Sequence, residues 1–176
     1  RLLIVGLAPA AHGGNRTGRM FTGDRSGDWL YGTLYKFGFA SSPDSRRRDD
    51  GLTLYDTYIT AALRCAPPAN KPLPEERSNC LPYLLRELDL LTRVRVVVPL
   101  GRIAFDTYLA TCQARQIALP SPRPRFAHGA IYTLEGGTVL IGSYHPSQQN
   151  TQTGRLTREM LEGVFRSARG YLASRV

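Results

Sequence analysis

Apolar residues fall along this chain in two kinds of run. Residues 2–5 (LLIV) and 94–100 (VRVVVPL) are short, nearly unbroken and closed by Gly6 and Gly101, the pattern of buried strands. Residues 54–63 (LYDTYITAAL) carry the β-branched and aromatic content of another strand, and residues 131–134 and 138–143 flank Gly136 and Gly137 as a hairpin would. Helical spacing governs the rest. Trp29, Leu30, Thr33, Leu34 and Phe37 form one stripe over residues 27–37, with Asp28 near the start, and Cys80, Leu84, Leu88 and Leu91 form a second over 74–92. A third helix, over 103–116, aligns Ala104, Tyr108 and Cys112. From Leu156 a closing amphipathic helix turns Leu156, Met160, Leu161, Val164, Phe165, Ala168, Tyr171 and Leu172 inward and Arg155, Arg158, Arg166 and Arg169 outward.

Strand, helix and strand in that order imply parallel pairing through right-handed crossovers. The expected architecture is α/β, a three-layer α/β/α sandwich around a mostly parallel four-stranded sheet. With 176 residues, the chain suits a single domain spanning 1–176. Residues 41–51 (SSPDSRRRDDG) read as an exposed loop rather than a basic arm, because Asp49 and Asp50 offset part of the charge. Prolines hold residues 120–129 extended, and no internal repeat is visible.

Charge narrows the range of partners. Twenty-three Lys and Arg against 14 Asp and Glu leave +9, which suits a polyanion such as nucleic acid and equally suits the Arg-rich surface of a thermophile's protein. No run of 18 apolar residues is present, so no membrane is expected, and without a secretory leader the default location is cytoplasmic. The chain opens on Arg1 inside a strand-like run, from which a missing natural N-terminus is expected. Three cysteines do not make a disulfide framework. Cys65 and Cys80, at the ends of CAPPANKPLPEERSNC, could ligate a metal, whereas Cys112 belongs to a helical stripe and to the core.

Two loops at strand C-termini carry the candidate chemistry, because in a parallel sheet those ends share one edge. The first, residues 6–24 (GLAPAAHGGNRTGRMFTGD), offers a floor with little bulk (Gly6, Ala8, Pro9, Ala10, Ala11), one planar ring (Phe21) and a carboxylate at Asp24, with Asp28 just beyond. The second, residues 144–155, offers His145. A flat aromatic ligand suits these parts: Phe21 stacks on its face, backbone amides read its edge, and His145 donates to an oxygen that gains charge. Each residue has a plainer role. Phe21 can be core, Asp24 can cap the following helix near Gly27, and a His before Pro is commonly a turn residue. Neither GxGxxG nor GxxxxGK[ST] occurs, which weighs against a phosphate cradle. His12 and His128 show no partner and read as structural.

Taken together these stretches resemble the uracil-DNA glycosylase superfamily, most closely its family 5, the B-type iron–sulfur enzymes of thermophiles. The resemblance is carried by four ordered motifs, GLAPAAHGGNRTGRMFTGD, YITAALRCAPPANKP, VVVPLGRIA and SYHPS, and covers nearly the whole chain. It implies a monofunctional, monomeric glycosylase that flips uracil or a related damaged base out of DNA and hydrolyses the N-glycosidic bond. On that resemblance Gly6, Leu7, Ala8, Ala10, Phe21 and Ala61 bind the base, with Phe21 stacking on it, and His145 stabilises the charge on uracil O2. Pro146, Ser147, Gln148 and Gln149 match the wedge that fills the vacated stack, and Arg155 joins them as a DNA contact.

Two positions depart from better-known families. Ala8 stands where the first family has its water-activating Asp, and Ala61 where related families place an Asn that reads uracil's edge. The resemblance thus implies tolerance of other bases, hypoxanthine among them, and a water held by another group: Asp24 first, then Asn15 and Asp28. It also implies a structural [4Fe–4S] cluster held by four cysteines, of which this sequence contains Cys65 and Cys80, the other two being expected from an N-terminal segment outside it. Rival readings are a non-catalytic nucleic-acid-binding module on the same sheet edge and a nucleotide-binding enzyme.

Overall fold

The computed structural model describes residues 1–174. Its sheet is built from β1 (Leu2–Gly6), β2 (Thr57–Ala61), β3 (Val96–Pro99), β4 (Ile131–Thr133) and β5 (Val139–Ile141), in the order β2-β1-β3-β5-β4. The first four of that order run parallel, and β4 pairs antiparallel with β5 through the turn at Glu135–Gly137. Five strands stand where four were expected, since the hairpin contributes both of its arms to one sheet. The second strand is shorter than the apolar run suggested, because Leu54 leaves it to bridge Ala40 at the base of the loop over residues 41–53.

Alternation along the central strands divides the interior into two cores. Leu2, Ile4, Val96, Val98, Val139 and Ile141 point to one face, where α2 (Arg25–Lys36) and α6 (Arg158–Ala173) cover them. Leu3, Val5, Val97 and Leu140 point to the other, beneath α3 (Pro74–Leu90) and α4 (Arg102–Ala114). A strand sandwiched in this way has no polar face to show, which accounts for the unbroken apolar runs. The three-layer α/β/α architecture is therefore present.

Helix starts follow local chemistry. Asp24 accepts from Gly27 N at 2.8 Å to cap α2, and Thr157 Oγ1 accepts from Met160 N at 3.2 Å to cap α6. Pro74 opens α3, and Glu76 Oε2 reaches back to Leu73 N at 2.7 Å. The closing helix corrects one expectation. Its arginines do not simply face water: Arg158 lies 4.4 Å over the Trp29 ring, and Arg169 lies 3.9 Å over Phe39 while its Nε donates to Phe37 O. Guanidinium planes thus cover the aromatic seam between α2 and α6. Tyr171, expected inside, is 41% exposed.

Candidate active site

The parallel strands end together, and each hands its chain to the same rim. After β1 comes a loop containing the short helix α1 (Gly14–Thr17) and then Phe21, whose φ of +56° is a left-handed conformation that side chains rarely adopt. Two glycines make room for it. A methyl at Gly6 would stand 3.1 Å from the Phe21 ring, and one at Gly27 would collide with the Phe21 carbonyl oxygen. Tyr31 Oη donates to Met20 O at 3.0 Å from beneath.

A polar network outside the turn completes its support. Arg19 donates to Thr22 Oγ1 (3.0 Å), Ser45 Oγ (3.1 Å), Arg47 O (2.6 Å) and Asp50 Oδ2 (2.6 Å), while Thr22 and Ser45 hydroxyls meet at 2.7 Å. The loop over residues 41–51 was expected to be exposed throughout; Ser45 is instead buried and Asp50 is turned inward. Burial opposes ionisation of Asp50, but the Arg19 guanidinium and the N–H groups of Arg47, Arg46 and Leu52 hold its carboxyl well below the usual carboxylate range.

His145 arrives from the end of β5. Ser143 continues the ladder, donating its N–H to Pro99 O while its carbonyl accepts from Gly101 N at 2.7 Å. Gly101, with φ of +95°, brings the start of α4 close enough that a methyl there would lie 3.6 Å from His145 Cβ. Asn150 Nδ2 donates to His145 O at 2.8 Å, and Ser147 Oγ caps α5 (Gln148–Gln152) by accepting from Asn150 N. Tyr144 packs against two side chains, with the His128 ring stacked at 5.0 Å and Arg155 4.8 Å from its centroid.

His128 has partners after all. Its Nδ1 accepts from Tyr144 N at 3.0 Å and its Nε2 lies 3.2 Å from Met160 O, an arrangement that requires the neutral Nε2–H tautomer. Burial lowers the His128 pKa accordingly.

The two loops meet at Phe21 and His145, whose ring centroids lie 5.6 Å apart with planes inclined by 36°. Neither ring nitrogen of His145 hydrogen-bonds to protein among the described residues, so both remain for a ligand. Desolvation by the surrounding protein pushes the part-buried imidazole down to about 4, which keeps it neutral, a donor that carries no charge of its own.

Phe21 is only 5% exposed and belongs to the core that carries Ile4 and Leu30, so it is a structural residue as well as a candidate platform. His145, Tyr144, Phe126 and Arg102 line a cavity of about 280 Å³. A larger one, about 490 Å³, opens on the other side at the β2 edge and holds Asn15, Met20 and Ala61 against the Arg64–Glu87 ion pair. Asn15 thus shares a cavity with Ala61, not with His145. Gly6 is buried, and Leu7, Ala8 and Ala10 are part-buried between the strand end and α1. Asp24 spends Oδ1 on the α2 cap; a methyl at Gly13 would stand 2.6 Å from Oδ2, which makes no hydrogen bond among the described residues. Asp28 is exposed on α2. Pro146 is buried and Ser147 is engaged as a cap, which leaves Gln148 and Gln149 exposed.

Cys65 is exposed, Cys80 part-buried and Cys112 buried, and all three are free thiols. Cys65 precedes the loop and Cys80 lies within α3, but among the described residues they gain no third His, Cys, Asp or Glu with which to hold a metal. Two cysteines are half of what a four-cysteine cluster requires.

Sequence reasoning missed Tyr144, His128 and Asn150. A signal for His128 was available: the antiparallel register that pairs Ile131 with Ile141, carried three residues outward, sets position 128 opposite 144.

A family model described as the uracil DNA glycosylase superfamily matches residues 1–169. The chain is 55% identical over 169 residues to a type-5 uracil-DNA glycosylase of Thermus thermophilus, covering 96% of this chain and 74% of that one. It is 52% identical over 170 residues to a type-5 uracil-DNA glycosylase of Mycobacterium bovis, covering 96% of this chain and 62% of the relative. Against a type-4 uracil-DNA glycosylase of Thermotoga maritima it is 28% identical over 166 residues, covering 93% and 74%. With a matching model over nearly its full length and relatives that share half its residues, the chain belongs to the uracil-DNA glycosylase superfamily and to its type-5 branch.

Proposed function

We propose that the protein is a DNA-repair hydrolase that extrudes uracil, and deaminated relatives such as hypoxanthine, from DNA and cleaves the N-glycosidic bond. Family membership supports uracil as the substrate, and the meeting of Phe21 with His145 is the observation that carries the mechanism. A base still stacked in the duplex cannot reach a recess at a sheet edge, so the nucleotide must leave the helix first.

Chemistry then follows from the parts. For uracil, the C1′–N1 bond breaks and its electron pair passes into the leaving base, where O2 gains charge. The neutral imidazole of His145 donates an N–H hydrogen bond to that oxygen without itself gaining a net charge. Phe21 stacks on the base, and because its ring is nearly covered, entry of the base is coupled to uncovering it. Water adds to C1′ and yields a proton, which neutralises the departed base anion. Asp24 Oδ2, unoccupied by the helix cap, is the group proposed to hold that water, whereas Asn15, expected as the second candidate, opens on the larger recess away from His145. Ala61 presents no amide to the base edge, which relaxes discrimination and admits hypoxanthine.

The test is a gel assay on matched oligonucleotides containing uracil, hypoxanthine or no lesion. Alkali-labile sites in the first two support the reading. Binding without release of base would instead make the chain a DNA-binding module.

Cys65 and Cys80 are proposed as two of the ligands of a [4Fe–4S] cluster, completed by thiolates beyond the described residues. Such a cluster would fasten the loop to α3. Iron and acid-labile sulfide content of the full-length protein, lost in Cys65→Ala and Cys80→Ala, tests this independently of activity.

A further inference from the structure

The loop over residues 41–51 takes no part in the reaction described above, and its three arginines and three aspartates look balanced in sequence. The fold breaks that balance. Asp50 is consumed internally by Arg19 and by the N–H groups of Arg46, Arg47 and Leu52, so its charge no longer faces outward. The same contacts fasten the loop rigidly to the segment that carries Phe21, with Gly23 N donating to Ser45 O at 2.8 Å.

Arginines are what remain on the outside. Arg46 and Arg47, 72% and 75% exposed, meet only the exposed Asp44 and Asp49, at 3.1 and 3.8 Å, and such solvent-screened contacts yield readily to a stronger anion. Arg48 has neither an ion pair nor a hydrogen bond from its side chain among the described residues, and it stands beside Gly18, 3.9 Å from where a methyl would be. Arg16 donates its Nε to His12 O at 3.1 Å, while its Nη2 would lie 3.4 Å from a methyl at Gly23. Gly18 and Gly23 bracket the turn that presents Phe21. Two guanidiniums without carboxylate partners therefore flank that turn, one at each end.

We infer that Arg16 and Arg48 grip the phosphodiester backbone of the lesion strand on either side of the nucleotide drawn to Phe21, with Arg46 and Arg47 adding to the local positive field. The planar fork of each side chain suits phosphate oxygens, and the clamp rests on the function proposed above. It differs from the wedge expected over Pro146, Ser147, Gln148 and Gln149, which lie on the other loop.

The salt dependence of binding to a uracil-containing duplex decides the matter. Each phosphate contact contributes about 0.9 to the slope of log K against log salt, so R16Q/R48Q should flatten the slope by about 1.8 and R48Q alone by about 0.9. Affinity should fall alike for damaged and undamaged sequence, and R16K/R48K should restore much of the slope. R77Q/R86Q, on exposed positions of α3, should leave it unchanged. The single R48Q change disturbs no hydrogen bond and keeps the test valid if the double variant folds poorly. A wild-type slope in folded R48Q and R16Q/R48Q would overturn the clamp. Flattened slopes in these variants of a protein that releases no uracil would instead overturn the proposed function while keeping Arg16 and Arg48 as phosphate contacts.

Discussion

The carbonyl oxygen of Phe21 lies against the Cα of Gly27, closer than any side chain at position 27 would permit. In an exposed helix Ala is favoured over Gly by about 1 kcal/mol, so propensity alone makes Gly27→Ala stabilising. The contact reverses the sign. Gly27→Ala should lower the melting temperature and displace the Phe21 turn, with excision of uracil falling at least about tenfold, the cost of misplacing a positioned group. An unaltered melting curve and rate would show that the turn relaxes without consequence.

Loss of the imidazole should be felt in chemistry rather than in binding. His145→Ala is expected to lower single-turnover excision by about 10²–10³-fold, the range for removing one donor to a developing oxyanion, with affinity for abasic DNA largely retained. Wild-type turnover in that variant would exclude His145 from the reaction.

The depressed His145 pKa fixes a direction with pH. Between 6.5 and about 4 the unfolded chain binds a proton at this position that the folded protein does not. Its share of stability is therefore complete above pH 6.5 and is lost as pH falls toward 4; His128, also lowered by burial, acts in the same sense. Excision should consequently show no titration near 6.5 from this residue. A rate that falls through 6.5 in wild type, with the fall abolished in His145→Ala, would mean that the ring carries charge in the reaction.

His128 makes no contact with the candidate base but holds Tyr144 N–H, one residue before His145. His128→Ala leaves that donor without its partner, a cost of about 1–3 kcal/mol where it is buried. The expected result is a reduced kcat with little change in KM. Asn150→Ala, which releases the His145 carbonyl, should act in the same way. Changes confined to stability would make both residues purely structural.

Much of this was readable from the chain. Strands buried on two faces announce themselves by unbroken runs such as residues 2–5, and Asp24 before Gly27 was legible as a cap. Phe21 and His145 were both found because each follows a strand end. What escaped were contacts whose geometry no spacing encodes. Arg19 reaches 31 residues along the chain to Asp50, and Arg158 covers a ring 129 positions before it, so the loop and the arginines of the closing helix were assigned to solvent. The division between the two cavities was equally hidden, since Asn15 and Phe21 share a loop, yet Asn15 lines the larger recess while Phe21 lies buried beside His145.

The sheet order places β3 between the strands that deliver Phe21 and His145, so those residues reach toward each other across about 10 Å of backbone ladder. That span is set by main-chain pairing and by the bare Cα of Gly101, neither of which depends on which side chains the flanking loops present. Substitution in one loop can therefore retune which damaged base is accepted while the reach between the two stays constant, leaving lesion preference free to drift among descendants whose scaffold does not.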